Sequence, residues 1–481
     1  MEYDKTNAKS IEAYARRLIG KSLAEVLETD LPEYNQAGRG RLGNMLEEHY
    51  FGYKPNSNSE PDFPIAGVEL KNTPLKKIKR GLASKERLVL NIINFMEEYQ
   101  YTFATSSFWR KNELLLLMFY LHEKGVRVEN LEFKIARLWR FPPEDLKIIK
   151  DDWTKIVGKI LAGRAHEISE GDTLYLGACT KGANDTSLRE QPFNEIKAMQ
   201  RAFSIKSRYI NYIIEQSWEG QSSPVTRYPE YAAILEEVRA SEVVSSSPIQ
   251  TELDYAEAAV KSLSEYQQGE TFEDLIRRKF QPYYGRSEVE LFSEFQLNSK
   301  SKQKYYELAK NILGVKKRNI AEFEKAGIIM KTIRLRTSGS IKEQMSFEQI
   351  QYKEIVEEEW ENSVWHDIVT KRFLFVILRE TEKNSGKFHF ERVMFWNMSN
   401  TDIEVAREFW IDTKEKIVSG DYNHFIKISD RRICHVRTKA NPNASKNRDM
   451  METPQNTLEK KRCYWLNASY IREQIEAPEN N

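Results

Sequence analysis

Cysteine is scarce in this 481-residue chain: only Cys179, Cys434 and Cys463 occur, with no Cys-x-x-Cys pair. That excludes a disulfide framework or a zinc ribbon and favours a reducing compartment. The seven histidines, among them His122, His166 and His435, offer no zinc-ligand spacing either. Long apolar runs are also missing. The longest, Leu114–Leu121, is far short of the ~20 residues that cross a bilayer. The opening MEYDKTNAKS has acidic and polar residues where a secretory leader needs a basic patch and an apolar core. The expectation is a soluble cytoplasmic protein with no membrane association. Net charge is the last absentee: 73 Lys and Arg against 72 Asp and Glu leave +1. A uniformly basic nucleic-acid coat is excluded, but basic stripes offset by acidic surface elsewhere are not.

What is present suffices for large packed cores. Hydrophobic residues make up 40% and aromatics 11%, which rules out disorder and fibres. At roughly 150 residues per domain the length suggests about three domains or two large ones. Short apolar segments at Ala66–Lys71, Arg87–Phe95 and Glu113–Leu121 read as strands of one sheet. Between 219 and 269 the texture turns to QSSP, VSSSPIQ and acidic Ala-rich stretches, as in a linker carrying a helix or two. Strand-like segments return at Gly327–Arg336, Arg372–Arg379 and Phe388–Trp396. Trp360, Trp365, Trp396 and Trp465 lie among apolar runs and read as core.

The return of this texture reflects an internal repeat. AGVELK at Ala66–Lys71 lines up with AGIIMK at Ala326–Lys331, an offset of 260. Ser107–Trp109 lines up with Ser363–Trp365 at 256, Cys179–Ala183 with Arg437–Asn441 at 258, and Arg201–Ile210 with Arg462–Ile471 at 261. Four matches in one order at nearly one offset point to two fused copies of one fold. The expected division is 1–218, a linker 219–269, and 270–481. Two copies make a pseudo-dimer, which suits a palindromic DNA site.

The chemistry concentrates in Pro61-Asp62 and the following Gly67-Val-Glu69-Leu-Lys71. In a strand, Glu69 and Lys71 share a face about 7 Å apart, and a preceding turn can bring Asp62 beside Glu69. Paired carboxylates suit a hard cation such as Mg²⁺, with the Leu70 carbonyl as a further ligand. Such a metal polarises a phosphate and activates water, and a neighbouring lysine orients that water or stabilises developing charge. A plain turn followed by a Glu69–Lys71 ion pair on a solvated strand is the alternative. Glu47, in the candidate helix Leu42–His49, supplies a third carboxylate or merely a solvated helix face. Downstream, Lys76, Lys77, Lys79 and Arg80, then Lys85 and Arg87, suit a phosphate backbone.

Together LGNMLE, PDFPIAGVELKNTPLKK, KERLVLNIINF, TSSF, HEISEGDTLYLGACTKGAN, QRAFSIKS and the terminal RCYWLNASYI resemble the MutH-like nucleases, in particular the two-domain type II restriction endonucleases of the Sau type. The resemblance implies a mixed α/β architecture: two copies of the restriction-endonuclease-like PD-(D/E)xK fold, each a central mixed sheet flanked by helices. It implies Mg²⁺-dependent cleavage of double-stranded DNA 5′ of the G in GATC, and a cognate DNA methyltransferase as companion. Asp62, Glu69 and Lys71 match the family's catalytic core, and Glu47 its upstream helix glutamate. Lys181, beside Thr180, matches a lysine of the loop that contacts bases. The tyrosine with which the mismatch-repair member senses methylation falls at Ser204. That departure favours restriction over hemimethylation-dependent nicking. A GATC-directed nicking repair endonuclease and a non-cutting DNA-binding regulator are the alternatives.

At offset 260, Glu69 becomes Ile329 and Asp62 becomes Glu322, while Lys71 persists as Lys331. The second copy is therefore expected to be catalytically silent. It keeps Thr438-Lys439 opposite Thr180-Lys181, with further basic residues at Lys316–Arg318, Arg334, Arg336 and Arg431-Arg432. A DNA-binding effector role is expected, and one active site per chain means that either two chains self-associate on DNA or a single chain nicks twice.

Overall fold

The computed structural model describes residues 3–27, 40–55, 59–78, 81–182, 187–218, 234–235, 255–430, 432–438 and 449–477. The chain divides into two units, Met1–Phe272 with Asn319–Gly327, and Glu273–Arg318 with Ile328–Asn481.

In the first unit, Val68–Ile78 forms β1, Gly81–Ser84 β2, Leu88–Ile92 β3, Leu114–Leu121 β4, Phe133–Trp139 β5, Leu176–Thr180 β6, Leu188–Gln191 β7, Asn194–Met199 β8 and Arg201–Ile205 β9. The leading sheet has the order β2-β1-β4-β5. Its centre is the parallel pair β1–β4, and the two outer pairings are antiparallel. Seven of the eight residues of β4 are buried. A strand covered on both faces needs a continuous apolar run rather than an alternating one, which explains why LLLLMFYL is a strand and not a half-exposed helix. One expectation fails here. Leu88–Ile92 joins a separate antiparallel sheet, β3-β9-β6, and Phe95 starts a helix.

Helix Pro143–Leu161 begins with a proline and the acidic pair Glu144 and Asp145, a start favoured by proline's fixed φ and the helix dipole. It also ties down the second sheet. Buried Asp152 accepts the backbone N–H groups of Leu174, Tyr175 and Leu176 at 2.7, 2.7 and 2.9 Å, holding the entry to β6.

Ala256–Glu257 (β10) pairs in parallel with Asn319–Ile320 (β11), and helix Ala321–Ala326 follows. This short segment is fixed by buried polar contacts. Lys325 Nζ donates to both carboxylate oxygens of Asp145 at 2.9 Å, and Tyr209 donates its hydroxyl to the same carboxylate at 2.9 Å. Glu322 accepts the N–H groups of Ala259 and Val260.

The second unit repeats the plan with Ile329–Leu335 (β12), Met345–Gln349 (β13), Phe373–Glu380 (β14), Phe388–Trp396 (β15), Cys434–Thr438 (β16), Met450–Glu452 (β17), Leu458–Lys460 (β18) and Arg462–Leu466 (β19). Its sheets run β12-β14-β15 and β13-β19-β16, with a β17–β18 hairpin matching β7–β8. The registers coincide as well. Glu69 pairs with Leu115 and Leu115 with Trp139, while Ile329 pairs with Phe373 and Phe373 with Trp396. Even the irregularity after Phe119 in β4 recurs after Ile377 in β14. One offset needs correction. Ser106 caps helix Ser107–Asn112 by accepting Trp109 N–H, and Ser363 caps Val364–Val369 by accepting His366 N–H. Phe108, not Trp109, therefore stands opposite Trp365.

All three cysteines are free and buried. Trp360, Trp365 and Trp396 are core residues. Trp465 is not. It is half-buried, stacked on His435 at 5.9 Å and bonded to the Arg437 carbonyl. Among the described residues no helix is long and apolar enough to cross a membrane.

Candidate active site

The acid-x-lysine pattern lies at the start of β1, and the chain just before it is folded back upon it. Phe63 and Val68 exchange backbone hydrogen bonds at 2.9 and 3.2 Å across the turn Pro64–Gly67. Gly67 closes that turn at φ 65°, a left-handed conformation that glycine adopts without cost. The turn brings Asp62 against the strand. Asp62 Oδ2 accepts Leu70 N–H at 2.9 Å, and Asp62 N–H donates to Glu69 Oε2 at 3.2 Å. Lys71 Nζ donates to Glu69 Oε1 at 2.6 Å. The shared face expected of Glu69 and Lys71 and the approach of Asp62 are thus both present. Leu70 is buried, with its side chain in the core below.

Glu47 arrives from a different direction. Helix Arg41–Met45 runs into a π-helical turn, Leu46–Tyr50, that carries it. The helix packs close to β1, because a Cβ on Gly43 would lie 3.0 Å from Asn72 Oδ1. Burial, then the negative charge of Asp62, pushes the Glu47 carboxyl up to about 7; Lys71 opposes this and Glu69 adds to it. Glu69, whose side chain is 2% exposed, is also shifted upward by burial, with Lys71 pulling the other way.

Two residues of this cluster had no sequence signal. Lys111, in the last turn of helix Ser107–Asn112, places Nζ 3.7 Å from Glu69 Oε1. Only the pairing of β1 with β4 reveals this, although a lysine four residues ahead of Leu115, the partner of Glu69, is the clue to look for. Tyr53 is the other. Its hydroxyl is buried without a hydrogen-bond partner among the described residues, and burial together with Asp62, Glu47 and Glu69 raises its pKa.

The expected DNA-contact residues are spread more widely. Lys76 and Lys77 are exposed at the end of β1, with Lys77 paired to Glu123 at 3.0 Å. Lys79 and Arg80 lie outside the described residues. Arg87 pairs with Glu170. Thr180 ends β6 and Lys181 follows, both exposed. Ser204 is buried in β9.

In the second copy of the repeat the same register carries different chemistry. Ile329 stands in the place of Glu69, and Lys331 Nζ donates to the Ser346 carbonyl at 2.9 Å. Glu322 does not take the part of Asp62: it sits on a helix rather than a turn and is committed to two backbone N–H groups. Thr438 ends β16, while Lys439 and Arg431 lie outside the described residues.

As they stand, no three His, Cys, Asp or Glu among the described residues cluster tightly enough to hold a metal ion. The donor chemistry nevertheless fits a hard divalent cation. Glu47 feels the negative charge of Asp62 and Glu69, Asp62 reaches Glu69 through its backbone N–H, and Mg²⁺ commonly takes one or two carboxylates and keeps its waters.

A mixed sheet whose leading strand carries acid-x-lysine, with an aspartate turned back upon it, places the protein in the restriction-endonuclease-like fold class. The family model of the DNA mismatch repair enzyme MutH matches the chain twice, over residues 51–152 and 314–408. The chain is 35% identical to the type II restriction enzyme Sau3AI of Staphylococcus aureus, over 97% of its own length and 98% of that protein's. It is 26% identical to the DNA mismatch repair protein MutH of Vibrio campbellii and 25% identical to that of Shigella flexneri. Each match covers 42% of this chain and 89% of the relative. The chain belongs to the Sau3AI family of type II restriction enzymes, MutH-related site-specific deoxyribonucleases.

Proposed function

We propose that this restriction endonuclease cuts double-stranded DNA 5′ of the G in GATC, with Asp62, Glu69 and the Leu70 carbonyl holding Mg²⁺. The observation that carries the reading is the contact set at the head of β1, in which Asp62, Glu69 and Lys71 are joined by hydrogen bonds of 2.6–3.2 Å. Bound there, Mg²⁺ supplies a Lewis acid for the scissile phosphate and lowers the pKa of a coordinated water. The protein's own groups do the rest. Lys71 orients the attacking water and stabilises charge developing on the phosphate. Lys111 adds positive charge on the same side of Glu69, and Glu47 supplies a third carboxylate whose charge acts on Asp62 and Glu69.

Lys181 and Thr180 read bases, and Lys76 and Lys77 hold the backbone. Residues 1–218 act as the nuclease, 219–269 as the linker, and 270–481 as a DNA-binding effector that does not cut. Ile329 in the place of Glu69 supports that silence. With one active site per chain, a double-strand cut comes from two chains assembled on DNA, the alternative being one chain that nicks the two strands in turn. The enzyme works in the cytoplasm beside a methyltransferase that protects host GATC sites.

Digesting fully sequenced DNA in Mg²⁺ and mapping the ends tests the specificity. The reading predicts every terminus at GATC with a 5′ overhang beginning at G. Ends at another sequence overturn it.

A further inference from the structure

The second unit holds a cavity of about 400 Å³ at one end of its main sheet. Three guanidiniums line it: Arg379 from β14, Arg392 from β15 and Arg472 from helix Ala468–Glu476. Two carboxylates, Glu391 and Glu476, stand among them. Three positive charges against two negative leave the lining one positive charge in excess.

The arginines are oriented without being consumed. Arg379 donates through Nε and Nη2 to the two carboxylate oxygens of Glu391 at 2.5 and 3.2 Å, Arg392 donates Nη2 to the Ile475 carbonyl at 2.8 Å with Nη1 3.6 Å from Glu391 Oε1, and Arg472 donates Nε to Glu476 Oε1 at 2.8 Å. A guanidinium has five N–H donors, so each fork retains donors beyond these contacts. Their side chains are 35%, 37% and 44% exposed, open to an incoming ligand.

Comparison with the first unit shows that these arginines do not come with the fold. Strand registers place Leu121 opposite Arg379 and Ile135 opposite Arg392, since Phe119 pairs with Ile135 as Ile377 pairs with Arg392. The terminal helices align Asn211 with Arg472: Lys206 N–H donates to the Tyr175 carbonyl as Asn467 N–H donates to the Ile433 carbonyl. Leucine, isoleucine and asparagine thus occupy the places of the three arginines. Clustering like charges is unfavourable without a counter-ion, and two carboxylates do not neutralise three guanidiniums.

We propose that this cavity is an anion site of the second unit that takes a phosphate group. The planar forks of arginine match phosphate oxygens two at a time, and a volume of about 400 Å³ admits a ligand up to roughly nucleotide size. A free phosphate compound and the DNA backbone present the same chemistry, and the experiment separates them.

Calorimetric titration of the full-length protein with inorganic diphosphate, without Mg²⁺, tests the site. Wild type is expected to bind saturably. The double variant Arg379→Gln/Arg472→Gln should lose at least about tenfold in affinity, which corresponds to ~1.4 kcal/mol. Glu476→Gln should gain several-fold, because it removes the carboxylate that competes for Arg472; a misfolded variant cannot mimic that gain. A short duplex without GATC forms the second arm. Competition with diphosphate, together with weaker duplex binding by the double variant, identifies the DNA backbone as the ligand. Unchanged duplex binding identifies a free phosphate compound. No saturable diphosphate binding by wild type, or equal binding by wild type and the double variant, overturns the proposal.

Discussion

Lys71 Nζ lies 2.6 Å from Glu69 Oε1, and Lys111 Nζ approaches the same oxygen to 3.7 Å. One lysine is hydrogen-bonded to the carboxylate, and the other acts across a gap. Their variants should differ accordingly. Lys71→Ala is expected to slow single-turnover cleavage by ~10²–10³-fold, the loss seen when a preorganised charge-stabilising donor is removed. Lys111→Ala should slow it about tenfold, near 1.4 kcal/mol. Equal losses measured under enzyme excess would show that the two ammonium groups do the same work.

The proposed silence of the second copy rests on more than one missing acid. Glu322 is held by two backbone N–H groups, and Lys331 is turned to the Ser346 carbonyl. Ile329→Glu in a Glu69→Gln background is therefore expected to restore no cleavage. Plasmid linearisation by that variant would show that the second site lacks only the glutamate.

The buried pair Lys325–Asp145 should matter for stability and not for chemistry. Lys325→Met leaves a carboxylate buried without its partner, at a cost of about 3–5 kcal/mol. Lys325→Met/Asp145→Asn removes the charge and keeps an acceptor for the Tyr209 hydroxyl, so most of the loss should be recovered. Thermal denaturation of the two variants reads the difference; a double variant no more stable than the single one would assign the loss to packing.

Lys181 separates base reading from backbone holding. If it reads a base, Lys181→Ala should reduce discrimination between GATC and a one-base variant by about 1–3 kcal/mol with little change in salt dependence. If it holds a phosphate, affinity should fall equally for both duplexes and the salt slope should drop by about one. Titrations of both duplexes at several salt concentrations distinguish the two.

How much of this could be read in the sequence follows from chain distance. Asp62, Glu69 and Lys71 span ten residues, and one turn and one strand bring them together, so local rules sufficed. Lys111 and Tyr53 reach the site through the β1–β4 pairing and the turn after Tyr50, which periodicity does not reveal. Leu88–Ile92 has the same apolar texture as β1 and β4, and nothing in that texture says which sheet a strand joins. The repeat was legible because two copies keep one register; the one-residue slip at Ser107 arose because serine precedes serine there, and only the cap shows which one starts the helix. The segment Asn319–Gly327 belongs to the second copy by alignment and to the first unit by contact. Its buried lysine and glutamate gave no sign of their partners.

Cleavage of a plasmid bearing GATC sites, by wild type and by Glu69→Gln, in Mg²⁺ and in EDTA, tests the central claim most directly. Wild type is expected to give fragments ending at GATC in Mg²⁺ and none in EDTA. Glu69→Gln should bind the same DNA in Ca²⁺ yet leave it uncut. Cutting by Glu69→Gln at the wild-type rate, or by wild type in EDTA, would contradict the assignment of Asp62, Glu69 and Lys71 as a metal-dependent nuclease site.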